Sequence, residues 1–487
     1  MKERSIFINV ILNIVRVSLS VIFPLITFPY VSRVLMAENL GKVNYALSIE
    51  NYFALIAMLG MTTYAVREGA RIRSKKNEFQ RFANEVFTVN IITTAISYVL
   101  LFLLLLLPKF HEYRFLILLH SISMILTTMG VEWLNSIYED YFYITIRTFI
   151  IQIILLVVMF IVVKNPNDYY RYAFLSVLSN GITCVLNFVY TRKKYCKIRI
   201  VKNCHFFMHI KCLIVFFANN LAVSLYLNAD TTMLGLLTND YTVGIYAVSV
   251  KVYNVIKAII AAMFTTCIPR LSAYCGSDKE YEYNTLLNTI INMCTLIMFP
   301  AVAGLILLSK PIILILAGEG YLDAISSLKI ICIGIIPAIY GGIVTNCVNL
   351  PLKREKYNLY GTVIAAVINV ILNLFFVPLM QENGAAITTV IAEFTVLIYC
   401  VLSFKDLKKL IDYGQLIKNI ITAFIEAIII VILSIVLNLF INNWIFYIII
   451  LIFSSIIFYI LILNLTYNKL LSLLKNLPIV STFVFDK

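Results

Sequence analysis

The sequence predicts an all-α polytopic membrane protein with about fourteen transmembrane helices. Hydrophobic residues make up 61% of the 487 residues, and the mean hydropathy is +0.92. Charged residues make up only 13%, about half of their share in a soluble domain. Apolar stretches of about 20 residues, long enough to cross a bilayer as a helix, recur along the whole chain. The composition leaves almost no room for a soluble domain.

Fourteen apolar segments are interpreted as spans. They are 6–30, 40–66, 86–107, 114–134, 143–163, 170–190, 213–237, 243–268, 286–308, 324–350, 359–379, 385–404, 419–441 and 445–465. Segment 309–323 is interpreted as either a broken helix end or a short re-entrant piece. The first span is expected to stay uncleaved, because its apolar stretch is too long for a signal peptide and contains Arg16.

The positive charges predict the orientation, because Lys and Arg remain preferentially in cytoplasmic loops. If the N-terminus is inside, the cytoplasmic segments carry 27 of the 39 Lys and Arg residues. Both termini are therefore expected in the cytoplasm. The same asymmetry accounts for most of the net charge of +14, so nucleic-acid binding is not expected.

The ten cysteines are expected to be free thiols, since none forms C-x-x-C. The cluster Cys204, His205, His209 and Cys212 fits no standard zinc spacing. No metal is expected there, and no other cofactor is predicted.

Two pairs of similar short stretches predict an internal repeat. "YALSIENY" (45–52) and "YAVSVKVY" (246–253) both read Y-A-x-S-x-[E/K]-x-Y, and "AFLSVLSN" (173–180) resembles "AITTVIAE" (386–393) less closely. The predicted domains are accordingly a six-helix bundle at 1–205, a second at 206–408, and two appended helices with a tail at 409–487. Six spans per half give both halves the same orientation, as in alternating-access transporters with a central substrate site.

Charges inside the spans are the candidate site, because a charge in a membrane helix is rarely without function. Asp230 and Lys251 lie at similar predicted depths and are expected to pair. Arg16 and Glu50, on the equivalent helices, are the second candidate pair. Lys257 has no obvious partner, which leaves one cation in surplus for an anionic substrate. The alternative is that all these charges are structural.

Three further polar residues complete the predicted lining. Asn254 and Tyr253 fall on the polar arc of span 8. Glu393 is a lone intramembrane carboxylate, expected either to take a proton or sodium ion or to bond a neighbouring helix. Tyrosines near these positions are candidates for packing on sugar rings.

The chain resembles the Wzx-type flippases of lipid-linked polysaccharide repeat units, in the polysaccharide transporter branch of the MOP superfamily. The matching stretches are "FPLITFPYVSRVLMAENLGKVNYALSIENYFALIAMLG", "YAVREGARIR", "EDYFYITIRTFI", "DTTMLGLLTNDYTVGIYAVSVKVYNVIK", "IPRLS" and "GAAITTVIAE". The resemblance implies two six-helix bundles around a cationic cavity, often with two further spans. It also implies an undecaprenyl-pyrophosphate-linked oligosaccharide as substrate, in a bacterial inner membrane, for O-antigen, lipopolysaccharide or capsule assembly, with a polysaccharide polymerase as a possible partner.

The resemblance assigns cationic roles to Arg16, Lys251 and Lys257, and a less certain one to Arg33 near the outer mouth. Pro24 and Pro29 are expected to let span 1 bend. A multidrug or cation antiporter of the same superfamily is the nearest rival, and it would favour an acidic cavity. A polymerase or other membrane enzyme is less favoured, because no large outer loop and no nucleotide-binding motif occurs.

Overall fold

The computed structural model describes residues 6–202, 204–275, 279–441 and 444–465. Within these ranges, the side chains of residues 6–22, 215, 219, 444, 445, 464 and 465 lie outside the description. The described residues form α-helices joined by short connections, with no strand among them.

Eighteen α-helices follow one another along the described chain. They are α1 (Ile6–Met58), α2 (Met61–Ile72), α3 (Lys76–Leu105), α4 (Arg114–Gly130), α5 (Trp133–Ile137), α6 (Tyr141–Val162), α7 (Tyr169–Lys194), α8 (Phe206–Leu237), α9 (Asp240–Thr265), α10 (Ile268–Cys275), α11 (Glu280–Leu307), α12 (Ser309–Leu316), α13 (Ala324–Ile333), α14 (Ile335–Ile343), α15 (Glu355–Leu402), α16 (Leu407–Leu410), α17 (Tyr413–Phe440) and α18 (Trp444–Leu465). A π-helical segment, Val344–Asn349, follows α14 directly.

The predicted fold class is confirmed, but the count of fourteen spans is not. In the described part of the chain, ten helical segments are long and apolar enough to cross a membrane. A bent pair, Phe206–Ala218 and Asn220–Leu237, would make an eleventh span across a 41° bend. The count differs partly because α15, which covers two predicted spans, counts as one segment, and because α1 is not among the ten.

The two long helices change direction at single residues rather than at loops. Met36 interrupts α1 with φ 63°, and Gln381 interrupts α15 with φ 50°. Positive φ is uncommon for residues with a side chain. Pro24 and Pro29 lie inside the helical run, and the break at Met36 falls outside predicted span 1, so the bend expected at the prolines stays a prediction.

Segment 309–323 continues the preceding helix after a short break. Helix α12 begins directly after Leu308, and the chain then turns at Gly318, whose φ of +88° suits glycine. A single turn of 3₁₀-helix, Glu319–Tyr321, leads to α13. Of the two interpretations, the broken helix end describes this segment.

The chain divides into two compact units. The first comprises Met1–Ala247, Leu316–Gly320 and Asn373–Gln381, and the second comprises Val248–Ile315, Tyr321–Leu372 and Glu382–Lys487. This division follows packing, whereas the predicted domains at 1–205, 206–408 and 409–487 follow the internal repeat. The predicted domain boundaries therefore stay a prediction.

Two glycines bring helices of the first unit into backbone contact. A Cβ on Gly41 would lie 1.8 Å from the carbonyl oxygen of Asp240, and a Cβ on Gly244 would lie 1.9 Å from that of Ala37. No side chain fits at either position, because real Cβ atoms do not approach so closely. The start of α9 is thereby fixed against the second half of α1.

Hydrogen bonds to Asp140 hold the end of α7 against the connection before α6, also in the first unit. Asp140 accepts hydrogen bonds from Tyr190, Tyr195 and Lys194, each at 2.6 Å. Burial of the carboxyl works against ionisation, but these three donors outweigh it and hold the pKa of Asp140 below its usual value. These three hydrogen bonds fix the position of α7 relative to α6.

Candidate functional site

Asp230 is the centre of a buried polar cluster in the first unit. One carboxylate oxygen accepts a hydrogen bond from Tyr246 at 2.9 Å, and the other accepts one from Asn373 at 2.7 Å. Asn373 lies in α15, far along the chain from α8, and sequence reasoning missed it. The two donors stabilise a carboxylate that would be costly to bury alone.

The cluster continues along the facing surfaces of α1 and α8. Thr232 donates to Tyr52 at 3.2 Å, a hydroxyl contact with Ser48 measures 3.1 Å, and Asn51 donates to Asn228 at 3.2 Å. Polar residues of predicted span 2 thus face those of predicted span 7.

Glu50 is buried against α4. Its carboxylate accepts a hydrogen bond from Ser123 at 2.8 Å. The side chain of Arg16 lies outside the described residues. The predicted Arg16–Glu50 pair therefore stays a prediction.

The prediction that Lys257 lacks a partner is wrong. Its ammonium lies 2.6 Å from a carboxylate oxygen of Glu393, and Tyr253 donates to the same oxygen at 2.5 Å. The ammonium also lies 3.2 Å from the Tyr253 hydroxyl and 5.1 Å from the centre of its ring. Of the two alternatives for Glu393, a bond to a neighbouring helix is the one present here, since Lys257 and Tyr253 both lie on α9.

Helix geometry explains this three-residue cluster, which lies wholly within the second unit. Tyr253 and Lys257 are four residues apart on α9 and therefore lie on one face. Side chains on a helix lean toward its N-terminus, so the lysine stem reaches back toward the tyrosine. The Lys257 side chain is 29% exposed and that of Glu393 is 6% exposed.

The polar residues predicted to share one face of span 8 have different surroundings. Ser249 packs against α13, within 2.8 Å of the Ser327 hydroxyl, and Asn254 is exposed. Lys251 is partly buried. Asp230 belongs to the first unit and Lys251 to the second, so their predicted pairing stays a prediction.

Arg33 is exposed on α1, and its guanidinium donates to the Pro29 carbonyl at 3.3 Å. The nearby Tyr30 hydroxyl donates to the Val163 carbonyl at 2.7 Å. Tyr45 and Tyr246, the equivalent tyrosines of the two repeats, are each only 1% exposed. These buried rings pack against protein in this structure, so only partly exposed tyrosines are accessible to a ligand.

The histidine and cysteine cluster at the start of α8 has a structural explanation. Glu85 of α3 lies 3.0 Å from His209 and 3.3 Å from His205. Arg81 donates to the same carboxylate at 2.9 Å, and Tyr64 lies 2.8 Å from the other side of the His209 ring. The two histidines therefore join α2, α3 and α8 through hydrogen bonds.

Two further polar groups were missed by sequence reasoning. Glu426 of α17 is fully buried, and neither of its carboxylate oxygens has a hydrogen-bond partner among the described residues. Arg147 of α6 is buried against Asn187 of α7. Both were visible as charges within predicted spans, which was the available signal.

Comparison with known proteins identifies the family. Residues 6–275, more than half of the chain, match the family described as "Polysaccharide biosynthesis protein". The chain belongs to that family. Residues 216–375 also match the MatE family. The resemblance that the sequence showed to proteins of polysaccharide assembly is thus confirmed at the level of this family.

Relatives and solved structures agree with this assignment. A protein of Shigella dysenteriae named "Putative O-antigen transporter" is 23% identical over 75% of this chain and 90% of its own length. The structure described as "Lipid II flippase MurJ, inward closed conformation" has a TM-score of 0.74 at 17% identity, covering 95% of this chain and 100% of that one. An inward-facing multidrug resistance MATE family transporter of the MOP superfamily gives 0.62 at 14% identity, covering 83% and 99%. These similarities show that the chain shares the fold of those two proteins.

Proposed function

We propose that the chain is a flippase that moves undecaprenyl-pyrophosphate-linked oligosaccharide repeat units from the inner to the outer leaflet of a bacterial inner membrane. The transport would proceed by alternating access through a cationic central cavity and would serve O-antigen or capsule assembly. Membership of the polysaccharide biosynthesis family over residues 6–275 is the observation that carries this proposal. The named relatives are transporters and flippases, so we expect no catalytic chemistry.

The physics of the substrate requires charged side chains inside the membrane. An unpaired pyrophosphate in hydrocarbon would cost tens of kcal/mol in the Born limit, so its headgroup needs a polar path with cations. We assign this role to Arg16, Lys251 and Lys257, with Arg33 at the predicted outer mouth. The lipid tail would stay in the bilayer.

The ion pair between Lys257 and Glu393 changes the mechanism that the sequence suggested. With Glu393 counted, the candidate cations Arg16, Lys251 and Lys257 are balanced by the carboxylates of Glu50, Asp230 and Glu393. A cation therefore becomes available to pyrophosphate only when a carboxylate is neutralised or displaced.

We assign that step to Glu393. When Lys257 moves to the pyrophosphate, Glu393 takes up one proton and remains as a neutral carboxyl that is hydrogen-bonded to Tyr253. When the lipid leaves, Glu393 releases the proton and the ion pair forms again. Asp230, whose two oxygens already accept hydrogen bonds, would position α8 and α15, and Asn254 would contact the sugar.

The membrane potential would favour this direction of transport. An inside-negative potential moves an anion outward, with about 2.3 kcal/mol per elementary charge for each 100 mV. Release of the proton from Glu393 as the lipid leaves would then restore the ion pair with Lys257 and reset the empty carrier. The proton moves outward with the lipid and lowers the net negative charge moved by one, so the potential acts on the remaining negative charge and no nucleotide hydrolysis is needed.

A multidrug or cation antiporter is the second candidate. The MatE match over residues 216–375 and the balance of intramembrane charges favour it. The two candidates differ in what moves: an antiporter would lower the cellular accumulation of cationic dyes, whereas a flippase would restore surface polysaccharide.

Complementation tests the proposal. The chain is expressed in cells that lack their own repeat-unit flippase and make the cognate repeat unit, and surface polysaccharide is measured at matched membrane abundance. The wild type should restore polysaccharide, K251A and K257A should restore at most a tenth as much, and the exposed-lysine control K408A should equal the wild type. Wild-type levels from both cavity variants would refute the cationic mechanism, and failure of the wild type together with dye export would favour the antiporter.

A further inference from the structure

A cleft in the first unit has the dimensions and chemistry of a lipid site. Its polar part is a cavity of about 310 Å³ between α4, α6 and α7. Its apolar part, about 260 Å³, is lined by α1, α6 and α7. Both parts are lined by Gln152 and Ser179, so the polar part and the apolar part are adjacent.

The polar end is built around a buried arginine with one unused donor. One terminal nitrogen of Arg147 donates to Asn187 at 2.6 Å, and the other lies 3.3 Å from Glu132. The Nε group is buried and has no partner among the described residues. The side-chain oxygen of Gln152 is likewise buried without a partner.

Unpaired buried donors and acceptors are costly, so groups of this kind indicate a missing partner. A ligand that completes this site must accept a hydrogen bond from Arg147 and donate one to Gln152. The other polar side chains that line the cavity, including Thr148, Asn180 and Thr183, add hydroxyl and amide groups. A purely apolar ligand would leave all of these groups unsatisfied.

The charges of the cavity indicate a zwitterionic headgroup. Arg147 and Glu132 are the two charged residues among those that line the cavity, and they cancel. The Arg147 side chain is 5% exposed, whereas that of Glu132 is 51% exposed. Glu132 can therefore turn toward an ammonium group while a phosphate takes its place beside the guanidinium.

The apolar part of the cleft accommodates most of one acyl chain. Its lining residues on α6 run from Gln152 to Met159. They span about 10 Å of helix, about two-thirds of half the hydrocarbon thickness of a bilayer, which is about 15 Å. Leu155, Leu156 and Leu175 line the apolar part and offer contact to an acyl chain.

We propose that this cleft binds a zwitterionic phospholipid of the phosphatidylethanolamine type. The phosphate lies against Arg147, the ammonium against Glu132 and the side-chain oxygen of Gln152, and one acyl chain fills the apolar part. Binding joins α6 and α7 to α1 and stabilises the first unit. The site does not depend on the proposed transport activity, since its lining lies within one unit.

Native mass spectrometry of the purified full chain tests the proposal. The protein is delipidated and exposed to equal amounts of phosphatidylethanolamine, phosphatidylglycerol, phosphatidylcholine and undecaprenyl phosphate. Phosphatidylethanolamine should be retained at least tenfold more than the other three, because only it combines the phosphate with a donating ammonium. Equal retention of all four lipids, or preference for an anionic one, would overturn the proposal.

Two variants locate the site. R147Q should lower phosphatidylethanolamine retention at least tenfold, whereas the exposed control R171Q should retain it as the wild type does.

Because R147Q also loses the bond to Asn187, a second variant, S179F, fills the junction of the two parts, and V185F adds the same bulk on the exposed face of α7. Loss of retention in S179F but not in V185F supports the site; retention unchanged in S179F refutes it. Inorganic phosphate should leave the melting temperature unchanged, and stabilisation by phosphate alone would contradict a lipid ligand.

Discussion

The Lys257–Glu393 pair gives the most specific prediction for the second unit. Removing one partner of a buried ion pair costs about 3–5 kcal/mol, because an uncompensated charge stays behind. Here the two deletions should differ. K257A leaves a Glu393 side chain that is only 6% exposed, with the Tyr253 hydrogen bond as its remaining support. E393A leaves a lysine that is 29% exposed and can extend toward water.

We therefore expect K257A to destabilise the protein by about 2–3 kcal/mol and E393A by about 1 kcal/mol, below the fully buried range because solvent screens the lysine. The double variant should cost less than the sum, with a coupling of about 1–2 kcal/mol. The assay is unfolding in mixed micelles with increasing sodium dodecyl sulfate, followed by circular dichroism. A matched cycle on the exposed pair Lys409 and Asp406, which lie 2.8 Å apart, should show no coupling. Additive effects at Lys257 and Glu393 would refute the structural argument.

Three further predictions concern single residues. The E426Q variant should be as stable as the wild type or more stable by about 1 kcal/mol, since a buried carboxyl without a partner is costly and the amide removes its possible charge. Marked destabilisation in the same micelle assay would contradict this. The G244A variant should lower the melting temperature strongly or prevent folding, because its Cβ would lie 1.9 Å from a backbone oxygen. The control G304A, whose Cβ would have nothing within 4 Å, should stabilise the protein slightly through helix propensity. Equal melting temperatures of the two variants would contradict the close helix crossing at Gly244. Asp140 has a lowered pKa, so its stabilising contribution is present above its unfolded pKa of about 4 and is lost as the pH falls through the folded value. D140N should therefore be less stable than the wild type at pH 7 and nearly equal to it at the lowest pH, and a constant difference across that range would contradict the role of the carboxylate and its three donors.

The fold class was predictable because hydrophobicity is a local property. Runs of about 20 apolar residues required helices whatever their partners. Polar residues near Met36 and Gln381 separated the predicted spans at both places, but the sequence did not show that each separation is a break at one residue within a continuous helical run rather than a loop. Sequence hydropathy records the composition of a segment but not where its backbone dihedrals change.

The candidate site was predictable as a set of residues but not as a set of contacts. Asp230, Lys257 and Glu393 were identified because charges in spans are rare. Their partners depend on which helix faces pack together, and the Lys257–Glu393 pair joins residues 136 positions apart. Asn373 was missed because an amide within an apolar run carries no charge signal.

Arg147 shows the limit of counting charges alone. Its charge was visible in the sequence, yet its relation to Asn187 and Glu132 required the crossing of α4, α6 and α7. A cavity forms where packed helices leave space between their side chains. Hydropathy patterns describe the side chains along one segment and carry no information about that space.

A flipping assay in proteoliposomes tests the central claim most directly. The purified chain is reconstituted with an undecaprenyl-pyrophosphate-linked oligosaccharide of the cognate repeat unit, and lectin access to the outer surface is followed after an inside-negative potential is imposed. The account predicts that the wild type exposes the oligosaccharide over time, that K257A does so at most a tenth as fast, and that K408A matches the wild type. Exposure no faster than in protein-free vesicles would contradict the assignment as a flippase, and equal rates for the wild type and K257A would contradict the role given to the Lys257–Glu393 pair.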